Sequence, residues 1–148
     1  MLSRTFLWPQ GYTSAAMISV NLDAEFYGRI FYPGIDVSEG DIQRLGWTGM
    51  EYGLPHLLDC FREHGVKGTF FIPGRVAELY PDAVRAIADA GHELGCHGYE
   101  HEILAHFTPE EQLELLKKAK AAIEKAAGRA VTGFRMPEGE ITEQTLVA

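Results

Sequence analysis

The sequence predicts an α/β fold built on a parallel sheet or barrel, with about four strands, and three observations carry that reading. Strand-like and helix-like segments alternate along the chain, the order that puts parallel strands in one sheet with helices packed on it. Glycine and proline fall at the joints between segments, at Gly65, Pro73-Gly74, Gly91 and Gly128. A length of 148 residues suits one domain, residues 1–148, with enough chain to bury a sizeable core.

The elements follow in order. Ala15 to Leu22 is a short apolar run, β-rich toward its end, that stops at the acidic Asp23 and reads as a buried strand. Ala24 to Thr48 has scattered glycines, a proline and no steady period, so a long loop is expected, with one short helical turn near Ser38 to Arg44. A first helix starts near Gly49, carries Leu54, Leu57, Leu58 and Phe61 on its buried side, and stops at Gly65. Val66 to Ile72 makes the second strand. Residues 75–90 form a helix broken or restarted at Pro81, and His92 to Cys96 is a short third strand.

Thr108-Pro109-Glu110-Glu111 is the clearest helix start: an N-cap hydroxyl, proline at the first helical position, and acidic residues beside the helix's positive end. That helix runs to about Ala127 and ends at Gly128. Ala130 to Arg135 makes the fourth strand, and Thr142 opens a last helix.

Composition narrows the function. Thirteen Lys and Arg against 21 Asp and Glu give a formal net charge of −8, which disfavours nucleic acid and anionic membrane as partners, since both reward a basic face. A small-molecule or glycan substrate remains open. No apolar run approaches the roughly 18 residues of a membrane span, and Met1 to Gln10 shows no secretory pattern, so a cytoplasmic location is expected. Two cysteines, Cys60 and Cys96, form no CxxC and suit buried free thiols. Cys96 borders a histidine pair, where it could be a soft ligand or simply a buried strand end.

In parallel α/β folds functional residues gather at the carboxyl ends of strands, where the loops converge on one mouth. Here strand one ends in Asn21-Leu22-Asp23, strand three in His97 and His101, and strand four in Arg135-Met136-Pro137-Glu138-Gly139. Two histidines four apart share a face if the turn is helical. With Asp23 they supply one oxygen and two nitrogen ligands and leave positions for water and substrate, the open arrangement of a catalytic metal. Asp23 could instead cap the following loop, and Glu138 could be an exposed turn residue.

These residues resemble the polysaccharide deacetylases with a NodB-type homology domain. An acidic pair at a strand end is matched in part by Asn21-Leu22-Asp23, H-x-x-x-H by His97 and His101, and R-x-P-x-G in full by Arg135, Pro137 and Gly139. The flanking Lys67 to Gly74 and Ala90 to Gly95 look like the family as well, so the resemblance covers roughly residues 15–148. It is similar in particular to the subgroup of peptidoglycan-deacetylase-like proteins and cyclic imide or ureide hydrolases.

The resemblance implies a barrel of about seven β/α units, and a divalent metal, zinc by family habit, held by Asp23, His97 and His101. It also implies hydrolysis of a non-peptide carbon–nitrogen amide bond. The second acidic residue of the first motif acts as general base, held by the arginine of the third motif through charge-assisted hydrogen bonds.

Asn21 stands where that base belongs, so Asn21, Arg135 and Glu138 are the residues on which catalysis turns. Either Glu25 or Glu138 substitutes as base or the hydrolytic chemistry is impaired, and Arg135 is expected to pair with Glu138 or Glu25. The family's later motifs are expected beyond residue 148, which makes this chain a half barrel. A homo-oligomer completing the barrel is the expected assembly, because half a barrel leaves an open sheet edge. The alternatives are a catalytically silent member that binds a metal and self-associates, or a cyclic imide hydrolase relative.

Among the remaining residues, His92 reads as structural, His64 and His106 as solvated, and Lys117, Lys118 and Lys120 as a solvated helix face. Phe26, Tyr27, Phe31, Tyr32 and Trp47 either line a substrate groove or cover the core.

Overall fold

The computed structural model describes residues 9, 11–29, 38–139, 142–143 and 145–146. Phe31 and Tyr32, almost all of Met1 to Gln10, and residues 144, 147 and 148 of the expected last helix lie outside them. Within the described part of that helix, Thr142 and Thr145 form a turn in which the Thr145 N–H donates to Thr142 Oγ1 at 3.2 Å.

Four strands, β1 (Ser19–Asn21), β2 (Thr69–Ile72), β3 (Glu93–Cys96) and β4 (Gly133–Phe134), form one parallel sheet in the order β1-β2-β3-β4. All four are shorter than the apolar runs that announced them, because pairing ends where a neighbour's backbone turns away. Among the described residues five helices connect them: α1 (Glu39–Thr48), α2 (Leu54–Glu63), α3 (Gly74–Leu79), α4 (Pro81–Asp89) and α5 (Pro109–Ala127).

Side chains alternate between the two faces of a strand, so the parallel register sorts them into rows. Val20, Phe70 and Leu94 share one row, and Ile72 and Cys96 the next. On that side Phe70, Ile72, Leu94 and Cys96 are buried in one core with Val76, Val84, Ile87, Ala119 and Ile123 from α3, α4 and α5. The opposite face is mixed: Ser19, Thr69 and Glu93 make one row, and Asn21, Phe71, Gly95 and Gly133 the next. There Thr69 Oγ1 donates to Glu93 Oε2 at 2.6 Å.

The helix ends follow local chemistry. The Thr108 hydroxyl accepts from the Glu111 N–H while the Glu111 carboxylate accepts from the Thr108 N–H, so two donors without helical partners are satisfied at the start of α5. Gly128 ends α5 in the left-handed conformation, φ 69°, where a side chain would be strained. Pro81 separates α3 from α4, as the sequence implied.

Between β1 and α2 the described residues hold more regular structure than expected. Ala24–Arg29 is a 3₁₀ segment, Ser38 caps a full helix α1 through the Asp41 N–H, and Gly49–Gly53 is a single π turn leading into α2. The helix expected to start near Gly49 is α2, which starts at Leu54. Phe26 is core, whereas Tyr27 and Trp47 are exposed, with Trp47 edge-on to Tyr52 at 5.7 Å.

The thiols divide. Cys96 is buried, as expected of a strand end, but Cys60 is exposed because it lies on the outer side of α2 from Leu54 and Phe61. His92 is structural, its Nδ1 accepting from the buried Gly68 N–H at 3.1 Å.

Candidate metal centre

Parallel pairing brings the three loops together at the carboxyl ends of the strands. Beyond β1 the Leu22 N–H donates to Phe71 O, beyond β3 the His97 N–H donates to Ile72 O, and beyond β4 the Arg135 N–H donates to Cys96 O, at 2.9, 3.0 and 2.9 Å. Each strand thus hands its last polar residues to one mouth. The histidine loop is clamped to the start of α3, where Gly74 and Arg75 N–H groups donate to Gly98 and Tyr99 carbonyls.

His97 and His101 do not sit on a helical turn. Gly98 has φ 74° and His101 φ 60°, so the chain coils back on itself and brings the two rings to 4.9 Å between centroids, edge to face. A Cβ at Gly98 would come within 3.1 Å of Pro137 Cγ, which shows how closely this loop packs on the Arg135–Gly139 loop. Glu102 was not singled out from sequence, yet it organises the turn by accepting from the Tyr99 and Glu100 N–H groups. A carboxylate one residue past the H-x-x-x-H pair was its only signal.

Asp23, His97 and His101 are all buried, and one ligand atom from each lies within 4.8 Å of the others. His97 Nε2 is 3.7 Å from Asp23 Oδ1, and His101 Nε2 is 3.9 Å from Asp23 Oδ2. These separations are too long for hydrogen bonds and suit atoms arranged around a shared ion. Among the described residues Asp23 Oδ1, His97 Nε2, His101 Nδ1 and Glu138 Oε1 are buried with no hydrogen-bond partner. Buried polar atoms are almost always paired, and two of these, Asp23 Oδ1 and His97 Nε2, face each other inside the cluster, which fits a site built for a cation.

The electrostatics agree. Burial pushes the Asp23 carboxyl above the ordinary carboxylate range, opposed by His101 and reinforced by Glu138. Burial pulls the His97 imidazole down to about 4, against the opposing hydrogen bond to the Arg135 carbonyl. That bond, from Nδ1 at 2.8 Å, identifies the tautomer: a carbonyl only accepts, so Nδ1 carries the proton and Nε2 keeps its lone pair toward Asp23.

Arg135 departs from expectation. Its Nη1 donates to Asn21 Oδ1 and its Nη2 to Ser19 Oγ, each at 2.8 Å, and its guanidinium lies 4.0 Å above the Phe71 ring. It pairs with neither Glu138 nor Glu25, because the sheet register puts Asn21, Phe71, Gly95 and Gly133 in one row that the arginine side chain crosses. Ser19, two residues before Asn21 and so on the same face, could have been found by strand alternation. Glu25 instead accepts from the Tyr80 hydroxyl at 3.2 Å. Glu138 lies with its Oε1 3.7 Å from His101 Nδ1 and its side chain 14% exposed.

Three non-glycine residues have positive φ: Ala24 (47°), His101 (60°) and Glu138 (59°), all among the described residues. Each is in, or adjoins a member of, this cluster. Backbone held this way costs on the order of 1 kcal/mol or more per residue and persists where surroundings demand it.

A family profile for polysaccharide deacetylase matches residues 46–148, a span that holds His97, His101 and Arg135 and begins after Asn21 and Asp23. A peptidoglycan deacetylase of Helicobacter pylori is 37% identical over 114 residues, covering 77% of this chain and 38% of that protein. A solved Mycobacterium smegmatis structure assigned to the polysaccharide deacetylases superposes with a TM-score of 0.82 at 32% identity, over 95% of this chain and 49% of that one. A CE4 family pseudoenzyme from Bacillus anthracis superposes with a TM-score of 0.67 at 25% identity, over 88% of this chain and 38% of that one. The chain thus spans less than half the length of each of these relatives. Profile, identity and superposition agree with one another: this chain belongs to the polysaccharide deacetylase family.

Proposed function

We propose that the Asp23–His97–His101 cluster binds a divalent metal, with zinc the first ion to test, and serves hydrolysis of an N-acetyl amide on a glycan such as peptidoglycan. The observation that carries the reading is the group of buried polar atoms without partners at the cluster. When bound, such an ion polarises the amide carbonyl and lowers the pKa of a bound water toward neutrality. The protein's part is to present Asp23 oxygen and two imidazole nitrogens in fixed positions. Arg135 is anchored beside them through Asn21 and Ser19.

A specific observation favours a second reading, in which the chain binds metal without turning over. Asn21 stands at the base position, its amide oxygen is already engaged by Arg135, and an amide does not take up a proton near neutral pH. Of the two carboxylates considered as substitutes, Glu25 is engaged by Tyr80 and only Glu138 adjoins the cluster.

Metal content by elemental analysis, together with deacetylase assays on peptidoglycan and N-acetylglucosamine oligomers and a cyclic imide assay, tests both readings. About one metal per chain, lost in His97→Ala, supports the site. Turnover by the wild type supports the hydrolase. Turnover that appears only in Asn21→Asp supports the silent reading, and no metal uptake overturns both.

β1 and β4 each have a strand on one side only among the described residues. These open edges support the further proposal that two copies of this 148-residue chain associate. Sedimentation at micromolar concentration tests it, and a monodisperse monomer overturns it.

A further inference from the structure

We infer that Glu138 is the outer partner of His101, a positioning carboxylate that fixes the ring's tautomer and orientation so that Nε2 faces Asp23. The inference rests on the metal reading above. The two histidines are set in the same way. His97 turns Nε2 toward Asp23 and gives Nδ1 to the Arg135 carbonyl at 2.8 Å. His101 also turns Nε2 toward Asp23 and presents Nδ1 to the Glu138 carboxylate at 3.7 Å. Both outer partners come from the same short segment, Arg135 to Glu138, so one loop after β4 holds both rings from behind.

Three observations point to Glu138 in this role. Among the described residues His101 Nδ1 and Glu138 Oε1 are both buried and have no hydrogen-bond partner, so each is the polar group available to the other. A closure of less than 1 Å makes the bond. Both residues also hold left-handed backbone, φ 60° and 59°, in a place where glycine would be free of strain. Finally, Oε1 faces the ring nitrogen turned away from Asp23, which suits a residue acting through His101 rather than one taking a proton from water beside the three ligand atoms. Metal-binding histidines commonly give their second nitrogen to a carboxylate or carbonyl, and removing that partner typically costs about 10- to 100-fold in metal affinity.

The test is zinc affinity, measured on the full 148-residue chain by competition with a chelating dye, for wild type, Glu138→Gln, Glu138→Ala and Glu138→Gly. The expected result is about a 10- to 100-fold weaker Kd for Glu138→Ala and Glu138→Gly, with Glu138→Gln between them and wild type because its amide oxygen still accepts from Nδ1–H. Glu138→Gly relieves the left-handed backbone, so its melting temperature holds or rises while its affinity falls, a combination that general structural damage does not produce. Long-range proton–nitrogen NMR of the zinc-loaded protein should show His101 with the proton on Nδ1.

Wild-type zinc affinity retained in Glu138→Ala and Glu138→Gly overturns the inference and leaves the metal site standing. Zinc found on Nδ1 overturns it as well. If wild type and His97→Ala both fail to bind zinc, the metal reading falls and the inference with it.

Discussion

Arg135, at the end of β4, donates from Nη1 to Oδ1 of Asn21, at the end of β1, at 2.8 Å across the full width of the sheet. The same guanidinium rests on the ring of Phe71, which fills the space left by the missing side chain of Gly95. Position 21 thus offers Arg135 an amide oxygen rather than a carboxylate.

That geometry predicts the effect of Asn21→Asp. The substitution is isosteric and puts a charged acceptor where Arg135 already donates, so the side chain should keep its place and gain the capacity to accept a proton. If the site hydrolyses amides, deacetylase turnover should rise on the order of 100-fold or more, the usual contribution of a positioned general base. Steady-state assays of the metal-loaded proteins check this. Unchanged turnover in a folded, metal-loaded Asn21→Asp would show that position 21 does not limit the chemistry.

Gly95 is predicted to be intolerant of any side chain. A Cβ there would lie 2.6 Å from Cδ1 of Phe71, so Gly95→Ala must displace the ring on which Arg135 rests. A loss of about 1–3 kcal/mol is expected, as for other overpacked sites, and denaturant unfolding measures it.

Thr108→Ala should cost about 1 kcal/mol, because it removes the hydroxyl half of the reciprocal cap at the start of α5. The helix stays docked through Ala119, Ile123 and Ala127. Denaturant unfolding should therefore show a shifted midpoint with an unchanged slope.

The two thiols should react differently. Burial pushes Cys96 up to about 11, whereas Cys60 is exposed. Because the thiolate is the reactive form, iodoacetamide at pH 8 should label one cysteine per folded chain and two per unfolded chain. Peptide mass mapping should identify the first as Cys60.

The metal-free protein should lose stability on mild acidification, in part through His97. Its folded pKa is depressed to about 4 from the ordinary 6.5, so between those values the unfolded chain binds a proton that the folded chain does not. Stability from this group is complete above about 6.5 and falls as pH drops toward 4. His92, lowered by burial and by Lys67, acts in the same sense, while Asp23, raised by burial, acts in the opposite one. His97→Gln should therefore show a smaller drop in denaturation midpoint between pH 7 and pH 5 than the wild type.

The fold was legible where local chemistry decides it. The cap at Thr108, the stop at Gly128 and the break at Pro81 appear where those residues dictate. The stretch from Ala24 to Thr48 was less so. Helix α1 buries little apolar surface of its own and is held against the Ala24–Arg29 turn through Gly46, where a Cβ would collide with the Glu25 backbone. Such a contact leaves no periodic hydrophobic trace. The helical geometry assumed for His97 and His101 failed for a related reason, since the positive φ of His101 belongs to a loop pinned by Glu102 and α3.

By itself the sequence determined that four strands alternate with helices, and that Asp23, His97, His101 and the Arg135–Gly139 segment fall at the ends of strands. Order along the chain and the parallel alternation suffice for that, because such strands carry their ends to one mouth. Only the tertiary structure decided which atoms face one another: that Arg135 reaches Asn21 and Ser19 rather than a glutamate, and that Glu138 faces the outer nitrogen of His101. Those pairings depend on strand register and on two left-handed residues. Neither is encoded in any short stretch of sequence, because each is set by neighbours far apart along the chain.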